Sequence, residues 1–318
     1  MNMLITGGAG FIGSHLAGHC QQFANVRLLD NFRSGSRRNL EGCNADVIEG
    51  DILDRGKLRE AMSGVDFVFH LAAMVSVPES VSHPLECERT NALGTLHVLE
   101  EAAAAGVQKV FFASSAAVYG DNPAVPKVET MLPEPRSPYA ITKLHGEHCC
   151  RFYHDEGRVP TVCLRFFNVF GPRQDPRGPY AAAVPIFMEK AARGEPLTIY
   201  GDGEQTRDFI SVKDIVSAIV HVTLTRELTG VFNAGYGGAL TINALAQQIV
   251  AAADSRSEIQ HLPERPGDVR HSRAAIDKLL ATGWKPVSNL HEGLREMSGR
   301  GGTRTAENVE ERISKILR

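Results

Sequence analysis

An α/β fold built on a doubly wound parallel sheet, with a smaller interleaved C-terminal lobe, is predicted by three observations. A glycine-rich turn at residues 7–13 joins a strand-like run to a helix-like one. Strand-like and helix-like runs then alternate as far as Arg165, and the second half changes to loops spaced by prolines. With 318 residues, 43% hydrophobic and 22% charged, the chain can fill one large core or two modest ones.

The first element is the apolar run Met3–Thr6, which breaks into Gly7, Gly8, Gly10 and Gly13 and opens a helical pattern over 11–22 that begins at Phe11 and Ile12. Glycines 8, 10 and 13 fit G-x-G-x-x-G, and glycines 7, 10 and 13 fit G-x-x-G-x-x-G. Either spacing gives a turn that only glycine tolerates, a close approach of phosphate to backbone, and a helix N-terminus offering free amides. Val26–Asp30 reads as the next strand and ends in an acid, placed to accept hydrogen bonds from an adenosine ribose.

Further strands are predicted over 45–51, 66–71, 109–115 and 161–165, and helices over 53–62, 91–105 and 139–156. Ligands collect at the carboxyl ends of such strands, which here carry Asp51 and Ile52, then Leu71, Ala72 and Ala73, then Ser114 and Ser115. Beyond them, Pro172, Pro176, Pro179 and Pro185 and the loop 201–209 predict an irregular lobe that walls a pocket, while Val231–Ala234 is expected to return to the main sheet.

A net charge of −3 leaves no electrostatic footprint for nucleic acid or a membrane surface, although Arg33, Arg37 and Arg38 form a local basic patch. No apolar run approaches the ~20 residues of a membrane span. The six cysteines show neither a C-x-x-C pair nor metal-ligand spacing, so reduced thiols and no metal are expected. The fingerprint begins within a few residues of Met1, which leaves no room for a leader, and a cytoplasmic enzyme is expected.

Chemistry is predicted at Ser137–Lys143. A serine N-cap and a proline at the first helical position place Tyr139 and Lys143 four residues apart on one helix face. The ammonium, and an oxidised nicotinamide beside it, are expected to lower the tyrosine pKa and make it a base. A hydroxyl of Ser114 or Ser115 would hold the reacting oxygen of a substrate; the same pair could instead cap a turn. No G-x-S-x-G elbow points to a hydrolase.

These motifs, with Asp30-Asn31, His70–Ala73, Ser114–Gly120, Arg165–Pro172, Tyr200-Gly201, Arg207-Asp208 and Arg265–Asp268, resemble the extended short-chain dehydrogenase/reductases over nearly the whole chain. Within them the nucleotide-sugar 4-epimerases are most similar. The resemblance implies a Rossmann-type NAD-binding domain over residues 1–165 and about 205–235, and a UDP-sugar-binding lobe over 166–204 and 236–318. It implies NAD held by Gly7, Gly10, Phe11, Ile12, Gly13, Asp30, Asn31, Ser34, Gly35, Asp51, Ile52, Leu71, Ala72, Ala73, Asn91, Ser114, Tyr139, Lys143 and Phe167. Catalysis falls to Ser115, Tyr139 and Lys143, with hydride removed from C4 of the hexose and returned to the opposite face. The substrate would meet Ser115, Tyr139, Asn168, Ala183, Thr198, Tyr200, Arg207, Arg265, Asp268 and Ser272, the arginines facing its diphosphate. A homodimer through a four-helix interface near 91–105 and 139–156 is also implied.

Departures from the family narrow the reading. Related 4,6-dehydratases carry an acidic pair where this chain has Ala116-Ala117, and UDP-glucuronate decarboxylases resemble a pattern with Glu at position 117. Some hexose 4-epimerases place a lysine where Val75 stands. The matching position to Ser272 is a bulky aromatic in epimerases confined to non-acetylated sugars, so the small Ser272 implies room for a 2-acetamido group. Alternatives are a UDP-glucuronate 4-epimerase, a reductase or dehydrogenase with net redox turnover, and a nucleotide sensor without catalysis. Asp30 argues for NAD over NADP, though Arg33 and Arg37 could attract a 2′-phosphate.

Overall fold

The computed structural model describes residues 1–176, 182–264 and 269–299. The first half runs β1 (Asn2–Thr6), α1 (Phe11–Cys20), β2 (Asn25–Asp30), β3 (Asp46–Glu49), α2 (Arg55–Met62), β4 (Phe67–His70), short helices α3 (Val77–Ser82) and α4 (Pro84–Cys87), α5 (Gly94–Ala104), β5 (Lys109–Ser115), α6 (Pro138–Asp155) and β6 (Thr161–Phe166). It continues with β7 (Asn168–Phe170), α7 (Ala183–Arg193), β8 (Leu197–Tyr200), β9 (Thr206–Arg207), β10 (Phe209–Ser211), α8 (Val212–Leu224), β11 (Gly230–Ala234), β12 (Leu240–Thr241), α9 (Ile242–Ala253), β13 (Ile259–Leu262), α10 (Asp277–Leu280) and α11 (Leu290–Met297).

Seven strands form the main sheet in the order β11-β6-β5-β4-β1-β2-β3, every pair parallel. Strands covered on both faces must be apolar throughout, which is why Met3, Leu4 and Ile5 of β1 and Val162, Cys163 and Leu164 of β6 are all buried. One face packs on α1 and α8, whose Leu16, Ala17, Ile215 and Ile219 join Ile5, Leu28 and Phe111. The other packs on α2, α5 and α6 through Leu58, Leu99 and Cys150 against Leu4, Leu29 and Phe112. The strand order reverses between β1 and β4, the switch point at which such sheets open a crevice. As expected from Val231–Ala234, β11 returns to the sheet beside β6.

A separate apolar cluster lies among α7, β8, α9 and α11, built on Val184, Phe187, Leu197, Leu245, Ile249 and Leu294. Three two-stranded pairs, β7/β10, β9/β12 and β8/β13, tie these elements together. Helix ends differ from the sequence pattern where local bonds intervene. α1 stops at Cys20 rather than residue 22, and α2 starts at Arg55 because the Asp54 carboxylate takes the amides of Gly56 and Lys57. α5 starts at Gly94, after a wide π-type turn over Glu88–Leu93. Among the described residues no helix is long and apolar enough to cross a membrane.

Candidate active site

A cleft of about 1450 Å³ opens at the carboxyl ends of β1, β2, β3, β4, β5 and β6 and beside the start of β7. Gly7, Gly10, Phe11, Ile12 and Gly13 line it, with Asp30, Asn31, Ser34, Asp51, Ile52, Leu71, Ala72, Ala73, Ser114, Ser115, Tyr139, Lys143, Phe167 and Asn168. Elements far apart in the chain thus converge on one groove.

The glycine loop resolves to the 7-10-13 spacing. Gly7 has φ +70°, and a Cβ on Gly13 would stand 2.2 Å from the Gly7 carbonyl oxygen. Gly8 is outside the cleft and lies against the Leu28 side chain, where an added Cβ would be 2.7 Å away. No side chain caps the N-terminus of α1, so its first amides face the groove and fit an anionic pyrophosphate. The Asp30 carboxylate lines the same groove and steadies it, taking Ala9 N at 2.8 Å and Phe32 N at 2.8 Å. Arg33 is ion-paired to Glu79 and Glu86, and Arg37 to Glu49, while Arg33 and Arg38 line the cleft.

At the far end the proton-handling group assembles. The Ser137 hydroxyl caps α6 by accepting from Ala140 N at 3.2 Å, with Pro138 at the first turn. Lys143 Nζ donates to Ala113 O at 2.8 Å and lies 5.7 Å from the centre of the Tyr139 ring. The Ser115 hydroxyl lies beside the Tyr139 phenol and favours its ionised form. Ser114 donates to the Glu147 carboxylate, and Ser115 is the serine beside the tyrosine.

The expected lowering of the Tyr139 pKa by Lys143 is corrected by the fold. Burial pushes the Tyr139 phenol up, the Ser115 hydroxyl opposes it, and burial pulls Lys143 down to about 8. His70, hydrogen-bonded to Thr6 (2.8 Å) and Thr95 (3.0 Å), is pulled down to about 3 by burial and by the nearby Lys143 charge and stays neutral, so it shapes the end of β4 without carrying protons.

Other expectations part from the geometry. Asn91 does not line the cleft; its amide clamps both backbone groups of Met74, which does (Met74 N to Oδ1 2.7 Å, Nδ2 to Met74 O 2.9 Å). Gly35 also stands behind the wall, where a Cβ would press on Ala9 and the Asp30 carboxylate. Ala183, Thr198, Tyr200, Arg207 and Ser272 lie outside this cleft; Thr198 Oγ1 accepts from Lys190 at 3.0 Å, and Arg207 donates to Thr206 O at 2.9 Å. Arg265 and Asp268 fall outside the described residues. Sequence reasoning missed Arg173 and Gln174 on the cleft wall, just after β7, and the buried carboxylates Glu147 and Asp208. The G-P-R-Q turn that ends β7 at the carboxyl edge was the available signal for the first two.

A model described as the NAD dependent epimerase/dehydratase family matches residues 3–235. Among solved structures, a UDP-N-acetylglucosamine 4-epimerase from Methanobrevibacter ruminantium M1 in complex with UDP-N-acetylmuramic acid is 40% identical, with TM-score 0.91, covering 94% of this chain and 97% of that one. The Thermus thermophilus UDP-glucose 4-epimerase complex with NAD is 36% identical, with TM-score 0.86, covering 94% and 98%. A UDP-N-acetyl-alpha-D-glucosaminuronate decarboxylase from Bacillus cytotoxicus is 38% identical over 269 residues, 82% of this chain and 83% of the relative.

Proposed function

The chain belongs to the NAD-dependent epimerase/dehydratase family, and from that premise we propose that it inverts C4 of a UDP-hexose through a 4-keto intermediate. The observation that carries this reading is the convergence of Ser115, Tyr139 and Lys143 on a cleft whose other end is the 7-10-13 glycine loop. NAD, when bound, supplies the hydride acceptor and donor. Its residues are Gly7, Gly10, Phe11, Ile12, Gly13, Asp30, Asn31, Ser34, Asp51, Ile52, Leu71, Ala72, Ala73, Lys143 and Phe167, with Gly35 and Asn91 behind the wall. Asp30, a carboxylate on the cleft wall at the end of β2, favours NAD over NADP.

The chain's own part is proton handling. Ser115 Oγ holds the sugar oxygen, Tyr139 accepts the 4-hydroxyl proton and returns it, and Lys143 keeps positive charge beside the phenolate. Ala116-Ala117 supply neither acid nor base for a second chemical step, which separates this site from dehydratases and argues against decarboxylation despite the decarboxylase relative. Asn168, Ala183, Thr198, Tyr200, Arg207, Arg265 and Asp268 are assigned to the UDP portion, and the small Ser272 leaves room for a 2-acetamido group. Purified protein incubated with UDP-glucose, UDP-N-acetylglucosamine and UDP-glucuronate, with products resolved by epimer, is expected to interconvert the first two without stoichiometric NAD(P)H. Turnover of the non-acetylated pair alone would overturn the Ser272 assignment, and release of carbon dioxide or net nucleotide reduction would overturn the epimerase reading.

The exposed Leu93, Ile141 and Phe152 (43%, 48% and 55%) on the α5 and α6 side favour a homodimer through a four-helix interface. Light scattering after gel filtration is expected to return twice the 34.6 kDa chain mass. A monomer mass sinks the idea.

A further inference from the structure

Tyr139, Lys143 and Glu147 recur every fourth residue on α6 and therefore stack along one helix face. Each turn makes its own tie to the end of β5. Lys143 Nζ bonds Ala113 O at 2.8 Å, Ser114 donates to Glu147, and Ser115 lies beside the Tyr139 phenol, so three successive strand residues meet three turns of one helix. The contact is close because Gly146 puts no side chain between helix and strand, and a Cβ there would stand 2.3 Å from the Phe112 ring.

Glu147 is the member of this set with no part in the chemistry. It is 5% exposed, and its carboxylate is also held by the two-pronged guanidinium of Arg165 (Nε to Oε1 2.8 Å, Nη2 to Oε2 2.7 Å). Arg165 on β6 is the register partner of Ser114 on β5. One carboxylate thus binds both strands at the same rung, directly beside Ser115. We propose that Glu147 is a positioning residue for catalysis, fixing Ser115 against Tyr139 by holding Ser114 and Arg165 together. This rests on the reading of Ser115 and Tyr139 as the proton-handling pair.

A simple structural ion pair would affect folding and leave the reaction of the folded enzyme alone. Glu147→Gln preserves volume but turns one oxygen into a donor facing either the guanidinium or the Ser114 hydroxyl. Expected results are a fall in kcat of about tenfold to a hundredfold, a UDP-sugar KM near wild type, and wild-type NAD content. The acid limb of the kcat–pH profile moves to higher pH, because the Ser115 contact that lowers the Tyr139 pKa is loosened. Lys143 on α6 and Cys87 on α4, the other titratable groups beside Tyr139, are untouched. Ser114→Ala removes one tie and leaves the Arg165 pair, and it is expected to shift kcat and the limb the same way with a melting temperature lowered by only a few degrees, roughly the loss of one buried hydrogen bond; it decides the matter where Glu147→Gln fails to fold. Wild-type kcat and pH limb in the folded variants would overturn the proposal. Tyr139→Phe assayed in parallel separates the two readings: if it stays active the proton-handling assignment fails, whereas an inactive Tyr139→Phe beside wild-type Glu147 and Ser114 variants removes only the role of Glu147.

Discussion

Tyr139→Phe is expected to lower kcat by about 10²–10⁴-fold while leaving NAD content and the UDP-sugar KM close to wild type. The substitution removes a single oxygen, and the ring stays packed where α6 meets the cleft. Two opposing influences act on that oxygen. Burial holds the phenol above its ordinary pKa, while Ser115 and the added charge of an oxidised nicotinamide favour the phenolate. On the proposed mechanism Tyr139 acts as a base only in the loaded enzyme, and kcat is expected to rise with pH as it deprotonates. Lys143, pulled down to about 8 by the same burial, is cationic below that pH and loses its charge above it, so support for the phenolate weakens on the alkaline side. An epimer-resolved assay across pH, with NAD released by denaturation and quantified, checks both statements. Residual Tyr139→Phe activity within tenfold of wild type would mean that another group takes the proton.

The glycine loop, the strand ends and the Tyr139/Lys143 pair were legible because each depends on residues close in sequence: a backbone angle, a short continuous apolar run, a helical spacing of four. What was not legible depends on partners brought together by the sheet. Ser114 and Ser115 are adjacent in the chain and both meet α6, Ser114 at Glu147 and Ser115 at Tyr139, a division that only the packing of α6 decides. Charge proximity correctly paired Tyr139 with Lys143, yet the direction of the tyrosine shift followed burial, a property of the whole fold. Nothing local showed that Arg33 would pair with Glu79 and Glu86, or Arg37 with Glu49. Asn91 belongs to the site only indirectly, through the backbone of Met74. Glu147, two turns beyond Tyr139, and Asp208, next to Arg207, looked like ordinary charged residues because nothing local shows that a carboxylate will be buried.

Asp208 leads to the second large effect. It is fully buried, and its carboxylate accepts Tyr236 N at 2.8 Å, Gly237 N at 3.0 Å and Ala274 N at 3.0 Å. Its own carbonyl takes Asn168 N at 3.1 Å and Asn168 Nδ2 at 3.0 Å. Asn168, Arg207 and Ser272, proposed to meet three parts of the UDP-sugar, thus sit on segments pinned to one side chain or next to it. Asp208→Ala orphans one buried amide, that of Ala274, and two part-buried ones, those of Tyr236 and Gly237, at ~1–3 kcal/mol for a buried group and less for the others, so a loss of stability on the order of 3 kcal/mol is expected in chemical denaturation. Asp208→Asn keeps the shape but presents a donor where an amide must be accepted, and a UDP-sugar KM raised about tenfold is expected, the equivalent of one lost hydrogen bond. The kcat of this variant should change little, because the Ser115/Tyr139 geometry hangs on the separate ties between α6 and β5. Unchanged KM in Asp208→Asn together with wild-type stability in Asp208→Ala would show that the substrate segments are positioned independently of this carboxylate. A parallel fall in kcat would show that the two halves of the cleft are mechanically one.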